Sequence, residues 1–154
     1  MIPPGDDIDR LMAVMQAAFD PAYGEAWNRR QVEDALLIGN CHYALLADHG
    51  AAPAGDEPAA AFFLSRMGFD EEELLLLAVD PAHRRKRLAS ALLEQLCAAA
   101  KARGAVRLLL EMRADNSAGA LYFAHDFKPV GRRPQYYRGL NGARLDAVTL
   151  AKDL

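Results

Sequence analysis

The sequence is poor in the features that announce a special class of protein. Its 154 residues hold two cysteines, one tryptophan and four histidines. Cys41 and Cys97 lie far apart in apolar surroundings, so two reduced, buried thiols are expected rather than a disulfide framework. No Cys/His grouping has metal-ligand spacing, and no metal is expected. His42, His49, His83 and His125 show no partner pattern and read as surface or structural residues. Apolar runs are short strand-like pieces such as Leu74–Val79, far below the ~20 residues that span a bilayer, so no membrane partner is expected. The segment Met1–Pro4 followed by Gly5-Asp6-Asp7 has neither a basic region nor an apolar one. No secretory signal is expected, and a cytoplasmic location is. An excess of either charge is missing too. Lys plus Arg is 18 against Asp plus Glu 21, a net charge of −3, which argues against a nucleic-acid partner.

What is present is an ordinary globular composition, 52% hydrophobic and 25% charged, in a length suited to one domain spanning residues 1–154. A monomer or weak dimer is expected. Ile8, Leu11, Met15 and Phe19 share one helical face, with Asp6 or Asp7 as cap and Asp20-Pro21 as stop. A second helix starts at Asn28, with Gln31 three residues on in a capping-box arrangement. Val32, Ala35 and Leu36 face inward, and Gly39-Asn40 ends it. Three strands follow, Cys41–Ala47, Ala59–Arg66 and Glu72–Val79. Leu88–Ala102 then reads as a helix with Leu88, Leu92, Leu96 and Ala99 in a stripe and Gly104 just past its end. Ala105–Arg113 is a strand, Ser117–His125 a short helix and Lys128–Arg132 a strand. A loop holding Pro134, Tyr136 and Tyr137 leads to a last strand near Leu145–Leu150. The order α-α-β-β-β-α-β-α-β-β predicts an α/β (α+β) domain with a mixed sheet.

The most informative stretch runs from strand to helix through Asp80-Pro81-Ala82-His83-Arg84-Arg85-Lys86-Arg87. Cations are disfavoured at a helix N-terminus, where the dipole is already positive. Four of them in a row there point to an external anion such as a phosphate or pyrophosphate, whereas an isolated basic run would be a solvated loop.

This segment sits inside a longer pattern. Ala78-Val79-Asp80-Pro81, the loop Arg84-Arg85-Lys86-Arg87-Leu88-Ala89, Leu110-Glu111-Met112-Arg113-Ala114-Asp115-Asn116, and Ala120-Leu121-Tyr122 followed by Phe127 together resemble the GNAT acetyltransferases. Within them the chain is most similar to the RimI-like ribosomal-protein N-alpha-acetyltransferases. The resemblance continues through Arg132-Arg133, Tyr136-Tyr137, Asp146-Ala147 and Ala26-Trp27-Asn28. It implies a GNAT fold, with a central mixed, mostly antiparallel sheet flanked by helices, and acetyl-CoA as co-substrate. The coenzyme would meet the backbone of Leu77, Ala78 and Val79, the loop Arg84 to Arg87 with Leu88, Ala89 and Ser90, and Asn116. Three departures stand out. Arg87 occupies the position of the loop glycine, Asp126 replaces the glycine before Phe127, and the spacing from Asn116 to Tyr122 is one residue short. Inside regular helix that deletion would rotate Tyr122 by about 100°.

The resemblance implies transfer of an acetyl group to a protein N-terminal amine, with Glu111 as general base and Tyr122 as general acid. An α-amino group, with a pKa near 8, needs only a modest base, unlike a lysine near 10.4. Read as a residue alone, Glu111 is first a strand-end carboxylate paired with Arg113 or Arg107, and Tyr122 is equally a core tyrosine. Asn116 is equally an N-cap. Tyr136 and Tyr137 are substrate-binding residues or loop anchors, and Trp27 lines the substrate groove or belongs to the core. Two other functions stay open: a GNAT enzyme acting on a small-molecule amine, and an acyl-CoA-binding module weakened by the three departures.

Overall fold

A computed structural model of the protein describes residues 5–20, 24–138 and 142–154. The elements are α1 (Gly5–Ala18), α2 (Arg29–Ile38), β1 (Cys41–Leu46), β2 (Ala61–Gly68), β3 (Glu71–Val79), α3 (Leu88–Ala102), β4 (Arg107–Arg113), α4 (Gly119–Ala124), β5 (Lys128–Arg138) and β6 (Arg144–Asp153). The strands form one six-stranded sheet in the order β1-β2-β3-β4-β6-β5. Among the described residues only β3 and β4 run parallel, joined by the crossover through α3; the other four pairings are antiparallel.

Each face of the sheet carries its own core. On one side Ile8, Leu11, Val14 and Met15 of α1 and Val32 and Leu36 of α2 pack on Leu45, Phe62, Leu64, Leu76 and Ala78. On the other, Leu88, Leu92, Leu93 and Leu96 of α3, with Tyr122 and Phe127, cover Leu46, Ala61, Phe63, Leu74, Leu108 and Leu110. Asn28 and Gln31 form the expected capping box, each side chain bonded to the other's backbone N–H. Gly39 closes α2 in the left-handed region, at φ 94°. The expected cap of α1 does not form at Asp7. The helix already runs from Gly5, and Asp7 accepts a 2.7 Å hydrogen bond from the Tyr43 hydroxyl.

The run Glu71-Glu72-Glu73 hides a buried carboxylate. Glu72 is fully buried, where it accepts hydrogen bonds from Ser65 Oγ at 2.7 Å and from Arg103 Nε and Nη2 at 2.9 and 2.5 Å. Arg103 is the C-cap of α3, so this ion pair ties that helix end to the start of β3. The two cysteines are free and half-buried rather than enclosed. Burial pushes both thiols up, which lowers their thiolate fraction.

Candidate active site

β3 and β4 part company halfway. Their ladder pairs Glu71–Leu74 with Arg107–Leu110 and stops, although β3 continues to Val79 and β4 to Arg113. The cause is a β-bulge. Across β2, Ser65 faces Leu74 while the preceding Leu64 faces Leu76, so Leu75 is an extra residue on β3. It shifts the alternation by one: Leu74 points to the α3 core, Leu76 and Ala78 to the α1 core, and Leu77 and Val79 to the α3 side again. Beyond the bulge, the β4-facing edge of β3 keeps its backbone N–H and C=O groups without a ladder partner.

The resulting cleft has a volume of about 430 Å³ and is bordered by Leu77, Ala78 and Val79, by Glu25, and by Arg84, Arg113, Asn116 and Tyr122. Next to it lies a groove of about 450 Å³ formed by His83, Arg84, Arg85, Arg87, Leu88, Ala89 and Ser90 with Val79 and Leu121. Among the described residues, no carboxylate lines that groove. Arg87 is the N-cap residue of α3 and makes no side-chain cap, so the amides of Leu88, Ala89 and Ser90 lack an intrahelical acceptor. Arginine side chains and unpaired amides thus converge where an anion would sit. The glycine position of this loop does require unusual backbone: Arg87 has φ 58°, ψ 27°, and Arg85 φ 68°. Lys86 departs from its expected place. Its Nζ bonds His83 Nδ1 at 3.1 Å and it borders neither space.

On the far side of the β3 edge is a third hollow, lined by Glu25, Trp27, Leu75, Leu76, Leu77, Glu111, Tyr122, Tyr136 and Tyr137. Glu111 alternates with the buried Leu110 and Met112 on β4, so its carboxyl faces away from the α3 core. Its ion-pair partner is Arg133 Nε, at 3.6 Å, and not Arg113 or Arg107. Arg107 pairs with Glu71, and Arg113 pairs with Glu25 and Asp115.

Tyr122 satisfies both readings at once. Its ring packs edge-on against Phe127 with centroids 5.7 Å apart, while the residue also borders the cleft and the third hollow. Burial, reinforced by the charge of Glu25, pushes its hydroxyl up to about 12. The one-residue shortening does not turn it away, because α4 starts at Gly119 and Ala114–Ala118 forms a turn. Asn116 is not the N-cap; that residue is Ala118. Asn116 Oδ1 instead accepts from the Ala118 amide at 2.9 Å, an Asx turn before the helix.

Tyr136 and Tyr137 lie within β5 and not on a loop. The strand runs to Arg138, with an irregularity between Arg133 and Tyr137 where Gln135 takes φ 55°. The two rings meet edge-on at 5.1 Å, and the Arg133 guanidinium stacks over Tyr136 at 5.0 Å. Burial, with the charges of Glu111 and Glu25, pushes the Tyr137 hydroxyl up to about 12. Trp27 touches the α1 core and lines the hollow. Glu25, Arg113 and Arg133 join the site without being expected there: Glu25 is a loop carboxylate with no periodic or motif signal, and Arg113 and Arg133 stand inside the quoted motif stretches, which do not by themselves say what the two side chains face.

The acetyltransferase (GNAT) family model matches residues 9–127. The chain belongs to the GNAT family. A 93-residue stretch is 41% identical to the [ribosomal protein bS18]-alanine N-acetyltransferase of Escherichia coli K12, covering 60% of this chain and 62% of that relative. The match therefore spans a little under two thirds of the curated relative's length. The crystal structure of the Escherichia coli ribosomal-protein-S18-alanine N-acetyltransferase superposes on this GNAT chain with a TM-score of 0.81 at 28% identity, over 99% of this chain and 91% of that one. The PaiA N-acetyltransferase of Thermoplasma acidophilum, solved in complex with coenzyme A, shares the fold at 14% identity (TM-score 0.69, 100% and 97% of the two chains). Among the described residues, no group of three His, Cys, Asp or Glu could hold a metal ion, and no helix is long and apolar enough to cross a membrane.

Proposed function

We propose that the protein is an acetyl-CoA-dependent Nα-acetyltransferase acting on a protein N-terminus, of the bS18-type ribosomal proteins that its relatives modify. The observation that carries this reading is the ordering of chemistry along one opening. Cations and uncapped helix amides stand at one end, two carboxylates and three tyrosines at the other, and the unladdered edge of β3 lies between. These features fit the coenzyme's parts: the arginines and α3 amides suit its pyrophosphate, and the edge of β3 suits its amide-bearing arm. Bound there, acetyl-CoA supplies the activated acetyl thioester.

The chain's own residues do the rest. Backbone N–H groups along Leu77–Val79 polarise the carbonyl under attack. Glu111 receives the proton of the acceptor amine, directly or through one water, and an α-amine with a pKa near 8 gives it up readily at neutral pH. Tyr122 donates its hydroxyl proton to the departing sulfur; burial keeps that proton in place. Tyr136 and Tyr137, held in a strand rather than a loop, form a firm wall for the peptide.

The test is incubation of the purified protein with acetyl-CoA and a panel of N-terminal peptides, following free thiol release and peptide mass. Turnover on peptides is expected, with Glu111→Gln lowering kcat by about 100-fold and leaving coenzyme affinity intact. Turnover on polyamines alone would replace the peptide with a small amine. Coenzyme binding without turnover on any amine would reduce the protein to a binding module.

A further inference from the structure

His125 shows no partner pattern in the sequence, yet the fold gives it one beside the arginine-lined groove. It closes α4 as the C-cap residue, its backbone N–H bonded to the carbonyls of Leu121 and Tyr122 at 3.2 and 3.0 Å. Leu121, one turn earlier on the same helix, lines the groove. His125 Nε2 lies 3.1 Å from Ser90 Oγ, and both residues are half-buried. Ser90 is the third residue of α3 and borders the groove, whereas His125 stands behind it and outside the lining. Arg87 and Glu94 stand one turn before and after Ser90 along α3. His83, Arg84 and Arg85 form the groove wall, and Asp126 and Lys128 follow just past His125.

A hydroxyl has one proton to give. If Ser90 donates it to the imidazole, the oxygen lone pairs face the groove and repel an anion there. If the imidazole donates instead, from Nε2–H, the Ser90 proton is released towards the groove. The second arrangement fits the surroundings. Arg84, Arg85 and Arg87 line the groove, and the Ser90 amide is one of three at the start of α3 without an intrahelical acceptor. We infer that His125 is a positioning residue for the coenzyme: its Nε2–H holds the Ser90 hydroxyl so that the hydroxyl proton points at a phosphate oxygen in the groove. The inference rests on the acetyltransferase reading above and adds a residue that reaches the coenzyme only through another. Amide and hydroxyl of Ser90 then both serve as donors to an anion, where hydrogen bonds are stronger than between neutral groups. An imidazolium carries donors on both ring nitrogens. Protonation of His125 therefore locks the productive direction, and a bound anion in turn favours the protonated ring. Coenzyme affinity is greatest on the acidic side of the histidine range and falls as pH rises through it.

The experiment measures Kd by calorimetry on the full chain, for CoA at about pH 7 and for 3′-dephospho-CoA from about pH 6 to about pH 8. The second ligand keeps the pyrophosphate but lacks the phosphate monoester, which itself titrates at about pH 6. His125→Leu should weaken CoA binding about fivefold and Ser90→Ala about tenfold, the scale of a hydrogen bond to a charged group. The two together should cost no more than Ser90→Ala alone, because His125 acts through that hydroxyl. His125→Gln, whose amide donates from nearly the same place, should return to within about twofold of wild type. For 3′-dephospho-CoA, the wild-type gain in affinity on acidification should exceed that of His125→Gln about threefold. His83 also borders the groove, but it is common to both proteins and cancels in that ratio. An affinity unmoved by His125→Leu, an equal loss from it in the Ser90→Ala background, or an equal gain on acidification in wild type and His125→Gln would each overturn the inference. A wild type that binds no CoA at any pH would defeat the acetyltransferase reading and this inference with it. Wild-type CoA binding leaves that reading standing whatever the His125 variants do.

Discussion

Replacing Arg87 by glycine separates two effects that this residue combines. Its φ of 58° and ψ of 27° lie in the left-handed region, which costs an L residue with a Cβ ~1–2 kcal/mol. The side chain is exposed, so little packing offsets that cost. Glycine adopts the conformation freely but is more mobile in the unfolded chain, which returns ~0.4–1 kcal/mol. The net expectation is a stabilisation of about 0.5–1 kcal/mol. For a chain of 154 residues that is a rise in Tm of about 1–4 °C. Coenzyme affinity should move the other way. A unit charge 4 Å from an anion contributes about 1 kcal/mol in water-like surroundings, so losing the guanidinium weakens Kd roughly fivefold. The loss should shrink as salt is raised towards 1 M, where the screening length falls to ~3 Å. Urea unfolding and coenzyme titration at two salt concentrations read both quantities. An unchanged or lowered stability would refute the backbone-strain argument. Tighter coenzyme binding would show that the arginine obstructs the loop instead of charging it.

Arg103→Met should destabilise the fold by about 3–5 kcal/mol in urea unfolding, because it strands the fully buried Glu72 without its guanidinium. Adding Glu72→Gln in the same chain should recover part of that loss, and a single-variant cost below about 1 kcal/mol would contradict the pairing. With the Tyr122 hydroxyl pushed up to about 12, its proton is retained through the ordinary assay range, so the rate should stay level from pH 8 to about 10. An alkaline fall near pH 10 that Tyr122→Phe abolishes would contradict the burial argument. Tyr122→Phe itself should lower kcat by about 100-fold with little change in coenzyme affinity.

Much of this architecture is legible in the residues, and the failures have physical causes. The capping box at Asn28 and Gln31 and the helix Leu88–Ala102 are local signals, and both stand as read. Even there, Ala100 and not Ala99 completes the buried stripe. β5 was cut short because its residues are exposed almost throughout; a strand with no buried face shows no alternation, and Pro134 reads as a breaker. The buried Glu72 hides within three consecutive glutamates that read as a solvated strand end. In the candidate site, motif resemblance points to the basic loop, Glu111 and Tyr122, and the structure places them on adjoining spaces along the edge of β3. Glu25 was not found, because its position depends on how the connection between two helices folds back over the sheet. Local sequence does not encode that return.

The bulge at Leu75 has a consequence for how the protein can be improved. Without it, the parallel ladder of β3 and β4 could continue, each added backbone hydrogen bond contributing about 1 kcal/mol. At this seam the two halves of the sheet are laddered through the four residue pairs from Glu71–Leu74 to Arg107–Leu110, with the Glu71–Arg107 ion pair and the hydrogen bond from the Val106 amide to the Asp70 carbonyl at their foot. Stability and activity therefore compete for the same edge. A search for more robust variants that rewards melting temperature alone will favour changes that zip the seam further, and each will be selected against the opening itself. Stabilising substitutions belong in the two outer cores, where the protein can be made firmer without being closed.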